Sequence, residues 1–392
     1  MTLLLASVTG PAEAEIAVAH GADIVDLKDP AQGALGALDP AAVQATVAVI
    51  AGRRPASAVT GDLPMQPHII YGAVEAMAAT GVDYVKVGLF PDEGRKGCIR
   101  ALAPLARLIK IVGVMFADSG ADASLVPLMA DSGFAGAMLD TANKASGRLL
   151  DHADVATLGV FVRACRDHGL LSGLAGSLEA PDVPRLLLLA PDYLGFRGAL
   201  CAAHDRKAGL DPSALSLIRG LIPPDVRSVA LERGETGKAD YRLLAARGYS
   251  ADAAKESGDT DRVFVRDLVL PVRIGAYQHE LAAPQNVRFN VEAEIARSAH
   301  PAQDMRDVLS YDIMTDGIRL IASAGHTPLV ETLAERIAAF VLGYPRVQQV
   351  TVKVEKLDLG PSAVGVEIRR QRPADIAKVY QLYPAARSRS AD

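Results

Sequence analysis

The sequence predicts an α/β protein, a closed (β/α)8 barrel of the TIM type followed by a small α+β domain. Three observations lead there. Up to residue 222, apolar runs of strand length alternate with longer Ala-rich helical patterns, as in a parallel sheet covered by helices. The runs make eight units within a length near the roughly 250 residues typical of the barrel. Beyond Arg262 the order becomes strand-strand-helix-helix-strand-strand, a separate ββααββ unit.

The first strand is expected at 3–7. The second, at 24–28, draws strand propensity from Ile24, Val25 and Leu27, and Pro30 ends any ladder. Further strands are expected at 56–60, 84–88, 109–116, 136–139, 171–175 and 193–196. Helices are expected at 12–20, 41–50, 69–79, 99–108, 125–132, 155–167 and 183–190, and Pro223-Pro224 ends the last helix of the barrel. An open doubly wound sheet is the alternative, but no GxGxxG follows the first strand, which disfavours dinucleotide binding. The chain then divides into a barrel (1–223), a charged linker with a short helix at 239–246 (224–261), a second domain (262–372) and a tail (373–392). In the second domain, strands are expected at 263–270, 287–295, 349–355 and 363–369, with helices at 311–324 and 329–342.

Composition narrows the function. A net charge of −5 over 392 residues argues against nucleic acid as the main partner, although a small anion needs only a local basic pocket. Cys98, Cys165 and Cys201 have no metal-ligand spacing and read as packed thiols. The apolar start Met1-Thr2-Leu3-Leu4-Leu5 lacks a basic flank and is too short for a signal peptide or membrane span, so a cytoplasmic protein is expected. Lysine is scarce, eleven against thirty arginines, so each lysine inside an apolar run asks for a reason. Guanidinium stays protonated and cannot replace an amine that forms an imine.

In a barrel, chemistry sits at the C-terminal strand ends. The second strand ends there with Asp26 and Lys28, which alternation places on one side. The fourth carries Lys86 inside an apolar run, and the sixth leads into Asp140 and Lys144. Three of the six lysines before residue 222 thus fall on one rim, each near a carboxylate in sequence. Clustered and desolvated amines lose their protons more readily, so one can attack a carbonyl while Asp26 or Asp140 shuttles protons. The plainer reading of Lys86 is a structural pair with Asp62 or Asp26. Two later turns suit an anion. Gly176 and Ser177 follow the seventh strand, with Ser177 as a cap for the next helix, and Arg197 and Gly198 follow the eighth. Barrels commonly hold phosphate at these two positions.

Ala22–Pro30, 83–89, 138–144, 174–177 and 195–199 resemble the (5-formylfuran-3-yl)methyl phosphate synthase family, which serves the biosynthesis of methanofuran-type C1 carriers. Asp26-Leu27-Lys28-Asp29-Pro30, Lys86-Val87-Gly88-Leu89 and Leu139-Asp140-Thr141-Ala142-Asn143-Lys144 occur together and in order. The resemblance covers about residues 1–222. It implies a lyase that condenses two molecules of glyceraldehyde 3-phosphate into a furan aldehyde phosphate, with loss of one phosphate and of water. It makes Lys28 the Schiff-base lysine with Asp26 beside it. Lys86, Asp140 and Lys144 would handle proton transfer, the second aldol partner and phosphate elimination. No metal or other cofactor is implied, since the iminium is the electron sink.

Residues 262–371 resemble the dihydroneopterin aldolase family, through Ile274-Gly275-Ala276-Tyr277-Gln278-His279-Glu280, Leu309-Ser310-Tyr311, Leu329-Val330-Glu331-Thr332-Leu333 and Lys353-Val354-Glu355-Lys356. That family has a tunnelling-type α+β fold. The resemblance implies that Glu331 grips the amidine-like edge of a pterin, that Lys356 is the acid–base lysine, and that Tyr311 and Glu280 line the pocket. Leu281 and Leu357 depart from the family's pattern. Sites of this kind form between subunits, so a homo-oligomer is implied. The rival readings are dihydroneopterin cleavage as the chief activity, or a C-terminal domain that serves assembly alone.

Overall fold

Eight parallel strands close into a barrel in sequence order: β1 (Leu3–Val8), β2 (Ile24–Leu27), β3 (Ala56–Val59), β4 (Tyr84–Gly88), β5 (Lys110–Phe116), β6 (Gly136–Asp140), β7 (Leu171–Leu174) and β8 (Tyr193–Phe196). The computed structural model describes residues 2–222, 256–276, 280, 283–298, 308–359 and 363–372. Strand β8 pairs with β1 through Leu3↔Tyr193 to Ala6↔Phe196, which removes both sheet edges. The strands are near-continuous apolar runs because helices cover them outside and side chains fill them inside. Leu5, Val112, Val114, Met138 and Tyr193 pack in the interior.

The helices are α1 (Pro11–Ala19), α2 (Pro40–Ile50), α3 (Pro67–Ala78), α4 (Arg95–Ala101), α5 (Leu125–Asp131), α6 (Leu149–His152), α7 (Val155–Asp167), α8 (Asp182–Leu187) and α9 (Pro212–Leu221). Proline opens α1, α2, α3 and α9, where its missing N–H costs nothing. Asp39, Asp154 and Asp211 accept from the first-turn N–H groups of α2, α7 and α9. The helix expected at 99–108 is instead α4 plus a 3-10 turn at Leu105–Arg107, because Pro104 cannot donate to the continuing ladder. The four-residue α6 was not expected.

At the opposite rim an aspartate device recurs. Asp23, Asp83 and Asp192 precede β2, β4 and β8, and each accepts at 2.8 Å from a backbone N–H near the start of the preceding strand, at Leu4, Ala56 and Ser172. It ties adjacent strands together at their N-terminal ends. Ser7↔Asp26 and Asp26↔Ser57 are paired positions, which sets three polar side chains side by side across β1, β2 and β3.

The second unit is a four-stranded antiparallel sheet in the order β12-β11-β10-β9, with β9 (Glu256–Val272), β10 (Gln285–Ser298), β11 (Val347–Lys356) and β12 (Val364–Gln371). Helices α10 (Tyr311–Ser323) and α11 (Val330–Leu342) supply the apolar face that packs on it. Val287, Phe289, Val291, Val350, Val352 and Val354 alternate into this core. Strand β9 starts at Glu256, so residues 256–261 belong to the sheet rather than to the expected linker. The linker helix at 239–246 and the tail at 373–392 lie outside the described residues.

Candidate active site

The C-terminal rim of the barrel holds a cavity of about 240 Å³. Leu5, Met138 and Ala175 form its apolar floor, and Asp26, Lys28, Lys86, Asp140, Lys144, Gly176, Ser177, Arg197 and Gly198 all line it. All nine of the residues singled out in the barrel sequence therefore converge on one space.

The charges inside it pair off unevenly. Lys86 Nζ lies 2.7 Å from Asp26, and both side chains are almost fully buried. Asp26 also accepts from Ser57 Oγ at 2.6 Å and Ser7 Oγ at 3.1 Å, the two register neighbours. Lys86 thus takes Asp26, not Asp62, whose carboxylate instead accepts from the N–H groups of Ala34 and Leu35 in the loop after β2. Lys144 is ion-paired with Asp140 and donates to Thr141 Oγ1 at 3.2 Å. Lys28, 8 % exposed, stands between these pairs, and its amine has no hydrogen-bond or ion-pair partner among the described residues. Burial pushes its pKa down to about 8, Asp140 and Asp26 pull against that, and Lys86 and Lys144 push with it. Burial opposes ionisation of Asp140, yet Lys144, Lys28 and the Thr141 N–H hold its pKa at about 2. Asp26 is held low in the same way, by Lys86 and Lys28 against burial. The arrangement keeps two carboxylates ionised beside one amine that readily gives up its proton.

The turn after β7 is forced. Gly176 (φ +120°) and Ser177 (φ +50°) both occupy the left-handed region, and the Cβ of any other residue at 176 would crowd Thr141. Ser177 does not cap the next helix as expected, because α8 starts only at Asp182 and has no side-chain cap. What the turn offers is backbone. The N–H groups of Gly176, Ser177, Gly198 and Ala199 donate to nothing among the described residues, and all four residues line the cavity.

Arg197 differs from expectation. Its guanidinium is committed to Glu13 (2.6 and 3.2 Å) and to the carbonyls of Ser7, Arg206 and Ala208. These bonds use the guanidinium donors and leave Arg197 bracing the rim rather than presenting a charge to the cavity. Sequence reasoning missed Ser7, Ser57 and Arg206. The two serines did carry a signal, a hydroxyl inside an otherwise apolar strand. Arg206 sits in an irregular loop with no pattern to mark it.

In the second domain, Lys356 Nζ lies 2.7 Å from Glu280, which is buried and also accepts from Gln285 Nε2 at 3.0 Å. Gly275 (φ +134°) lets its backbone pass against the Glu280 side chain where a Cβ would overlap it. Tyr311 and Glu331 stand exposed at the first turns of α10 and α11. Tyr277, Gln278, His279 and Leu281 lie outside the described residues.

A parallel eight-stranded barrel with a buried lysine–carboxylate cluster at its C-terminal rim defines the first unit as a (β/α)8-barrel enzyme. A family model described as 4-HFC-P synthase matches residues 4–219, more than half of the chain. The chain belongs to this family. A (5-formylfuran-3-yl)methyl phosphate synthase of Methanopyrus kandleri is 37% identical over 218 residues, covering 53% of this chain and 92% of the relative. The synthase of the same name from Methanothermobacter thermautotrophicus is 36% identical over 218 residues, with the same coverage. A second family model, dihydroneopterin aldolase, matches residues 263–369. Among solved structures, a dihydroneopterin aldolase from Burkholderia thailendensis bound to guanine is 32% identical, covering 29% of this chain and 93% of that one, with a TM-score of 0.27. No helix among the described residues is long and apolar enough to cross a membrane.

Proposed function

We propose that the barrel is a (5-formylfuran-3-yl)methyl phosphate synthase that condenses two molecules of glyceraldehyde 3-phosphate through an imine on Lys28. The observation that carries this reading is the unequal state of three amines in one cavity. Lys86 and Lys144 are neutralised by carboxylates, while Lys28 is desolvated, unpaired and titrates near 8. A neutral amine attacks the aldehyde carbon, water leaves, and the iminium withdraws electrons so that the adjacent carbon gives up its proton. Asp26 with Lys86, and Asp140 with Lys144, are the two acid–base couples within reach of that centre. The resulting enamine attacks the second aldehyde. Loss of one phosphate and two waters in total then balances two trioses against one aromatic furan aldehyde that keeps a single phosphate. The unpaired N–H groups of Gly176, Ser177, Gly198 and Ala199 support a phosphate position at the cavity mouth.

The test is incubation of the full chain with glyceraldehyde 3-phosphate, recording ultraviolet absorbance of a conjugated aldehyde together with released phosphate. One phosphate per furan formed is expected. Triose consumption with neither product would overturn the reading. Metal and organic cofactors have no place in this scheme, in which the iminium is the electron sink.

For the second domain we propose a pterin-like site centred on Glu280 and Lys356 and completed by Tyr311 and Glu331 in a homo-oligomer. The Glu280–Lys356 pair supports it as a held acid–base couple, and the exposure of Tyr311 and Glu331 in the single chain fits residues that meet their ligand at a subunit boundary. The outer edges of β9 and β12 are unpaired within the sheet and offer strand-to-strand association. Glycolaldehyde release from dihydroneopterin tests activity. Its absence, with an oligomer retained by the full chain and lost on truncation near residue 227, would leave assembly as the domain's role.

A further inference from the structure

Five cations line the barrel cavity: Lys28, Lys86, Lys144, Arg197 and Arg206. Asp26 takes Lys86, Asp140 takes Lys144 and Glu13 takes Arg197. The remaining lining carboxylate, Glu179, faces Arg148 at 3.6 Å. Two cations are left without a carboxylate, Lys28 and Arg206. The first serves the reaction proposed above, and the second has no role in it.

Arg206 is half-buried, and among the described residues its guanidinium donates only one long bond, 3.4 Å to the carbonyl of Gly33 in the loop after β2. That bond reaches from the loop after β8 to the loop after the strand that bears Lys28. The segment presenting Arg206 is built at some expense. Ala203 (φ +54°) and His204 (φ +57°) are consecutive left-handed residues, a conformation that side chains with a Cβ disfavour. The loop is closed by Ala202 N–H to Gly209, Asp205 N–H to Ala202 and Ala208 N–H to Asp205. Arg197 then clamps it from below, donating to the carbonyls of Arg206 itself and of Ala208. A strained loop braced by a buried arginine holds a second arginine over the cavity, beside backbone N–H groups that lack acceptors. Burial lowers the pKa of that guanidinium, Asp140 raises it and Arg197 lowers it, so its charge is felt inside the cavity.

We propose that Arg206 is the specificity-determining residue for the substrate phosphate, exchanging its long bond to Gly33 for a phosphate monoester held by the N–H groups of Gly176, Ser177, Gly198 and Ala199. Arg197 is the positioning residue behind it. Backbone N–H groups alone give partial charges and would accept many polar groups, whereas a guanidinium demands a dianion or carboxylate in its plane. The ligand class is the phosphate monoester of a short aldehyde. This deepens the reading of the barrel as a site for phosphorylated trioses and rests on it.

The experiment compares the wild-type chain with Arg206→Gln and Arg206→Lys, using inorganic phosphate as the probe. Phosphate affinity is measured by calorimetry, and borohydride trapping of Lys28 is measured with unphosphorylated glyceraldehyde. Expected is at least about a tenfold loss of phosphate affinity in the Gln variant, partial recovery in the Lys variant, and glyceraldehyde trapping within twofold of wild type. Equal phosphate affinity in wild type and the Gln variant would overturn the assignment, as would a parallel loss of phosphate binding and trapping, which indicates general damage. No phosphate binding by the wild-type chain would overturn the anion site as a whole. Phosphate binding that depends on Arg206 in a chain that makes no furan would leave the assignment standing and sink the furan reading alone.

Discussion

Replacing Lys28 by methionine should stabilise the barrel at neutral pH. The unfolded chain releases the Lys28 proton near 10.5, and the folded chain releases it near 8. At about 1.4 kcal/mol per pH unit, holding the ammonium in the cavity at pH 7 costs the fold on the order of 3 kcal/mol. Below pH 8 both states are protonated and the whole cost is present. As pH rises from 8 to 10.5 the folded amine is already neutral, so the cost shrinks to nothing by the upper value. Methionine has similar length and no charge, but its presence removes a cation that helps hold Asp140 and Asp26 ionised. The net gain at pH 7 is then between about 1 and 3 kcal/mol. For a unit of this size each kcal/mol moves the melting temperature by about 2–4 °C. Thermal unfolding of wild type and Lys28→Met at pH 7 and pH 10.5 reads this directly, with a rise of several degrees at pH 7 that fades at pH 10.5. A lower melting temperature for the variant at pH 7, or an advantage that does not change with pH, would show that the buried Lys28 ammonium carries no such cost.

Three further outcomes are expected. Arg197→Ala should lower the melting temperature, because it strands the half-buried Glu13 carboxylate and three carbonyls, a loss of about 3 kcal/mol; normal stability with a raised KM alone would return Arg197 to direct phosphate contact. The kcat/KM for furan formation should climb with pH and level off above about 8, as Lys28 becomes the free amine; a profile flat from pH 6 to 9 would contradict this. Tyr193→Phe should raise stability by about 1 kcal/mol, since the buried Tyr193 hydroxyl has no partner among the described residues, and a loss on thermal unfolding would show a partner there.

The barrel was legible in the sequence for a simple reason. Strands buried on both faces leave unbroken apolar runs, and the stretches at 3–7 and 109–116 read as strands with no help from context, close to the observed Leu3–Val8 and Lys110–Phe116. The lysine trio was legible because a scarce residue inside such runs is conspicuous. What the residues could not reveal is which carboxylate each amine takes, since that depends on register and reach across strands. Asp26 lies between Ser7 and Ser57 only once β1, β2 and β3 are aligned, and Lys86 arrives from β4 to complete the cluster. The pairing of Arg197 was not legible because its partner Glu13 stands 184 residues away in sequence, at the start of α1. Arg206 was missed because a side chain in an irregular loop takes its meaning from how that loop closes. In the second domain, alternation on Val287–Ile295 marked the sheet, whereas the Glu280–Lys356 contact joins a loop to a strand end across 76 positions.

One amine in this cavity is kept free while its two neighbours are tied. Borohydride reduction of the full chain in the presence of glyceraldehyde 3-phosphate, followed by peptide mass analysis, reads that difference out. A reduced triose adduct is expected on the peptide bearing Lys28, and none on those bearing Lys86 or Lys144. An adduct on either of those two lysines alone, or no adduct on any of the three, would contradict it.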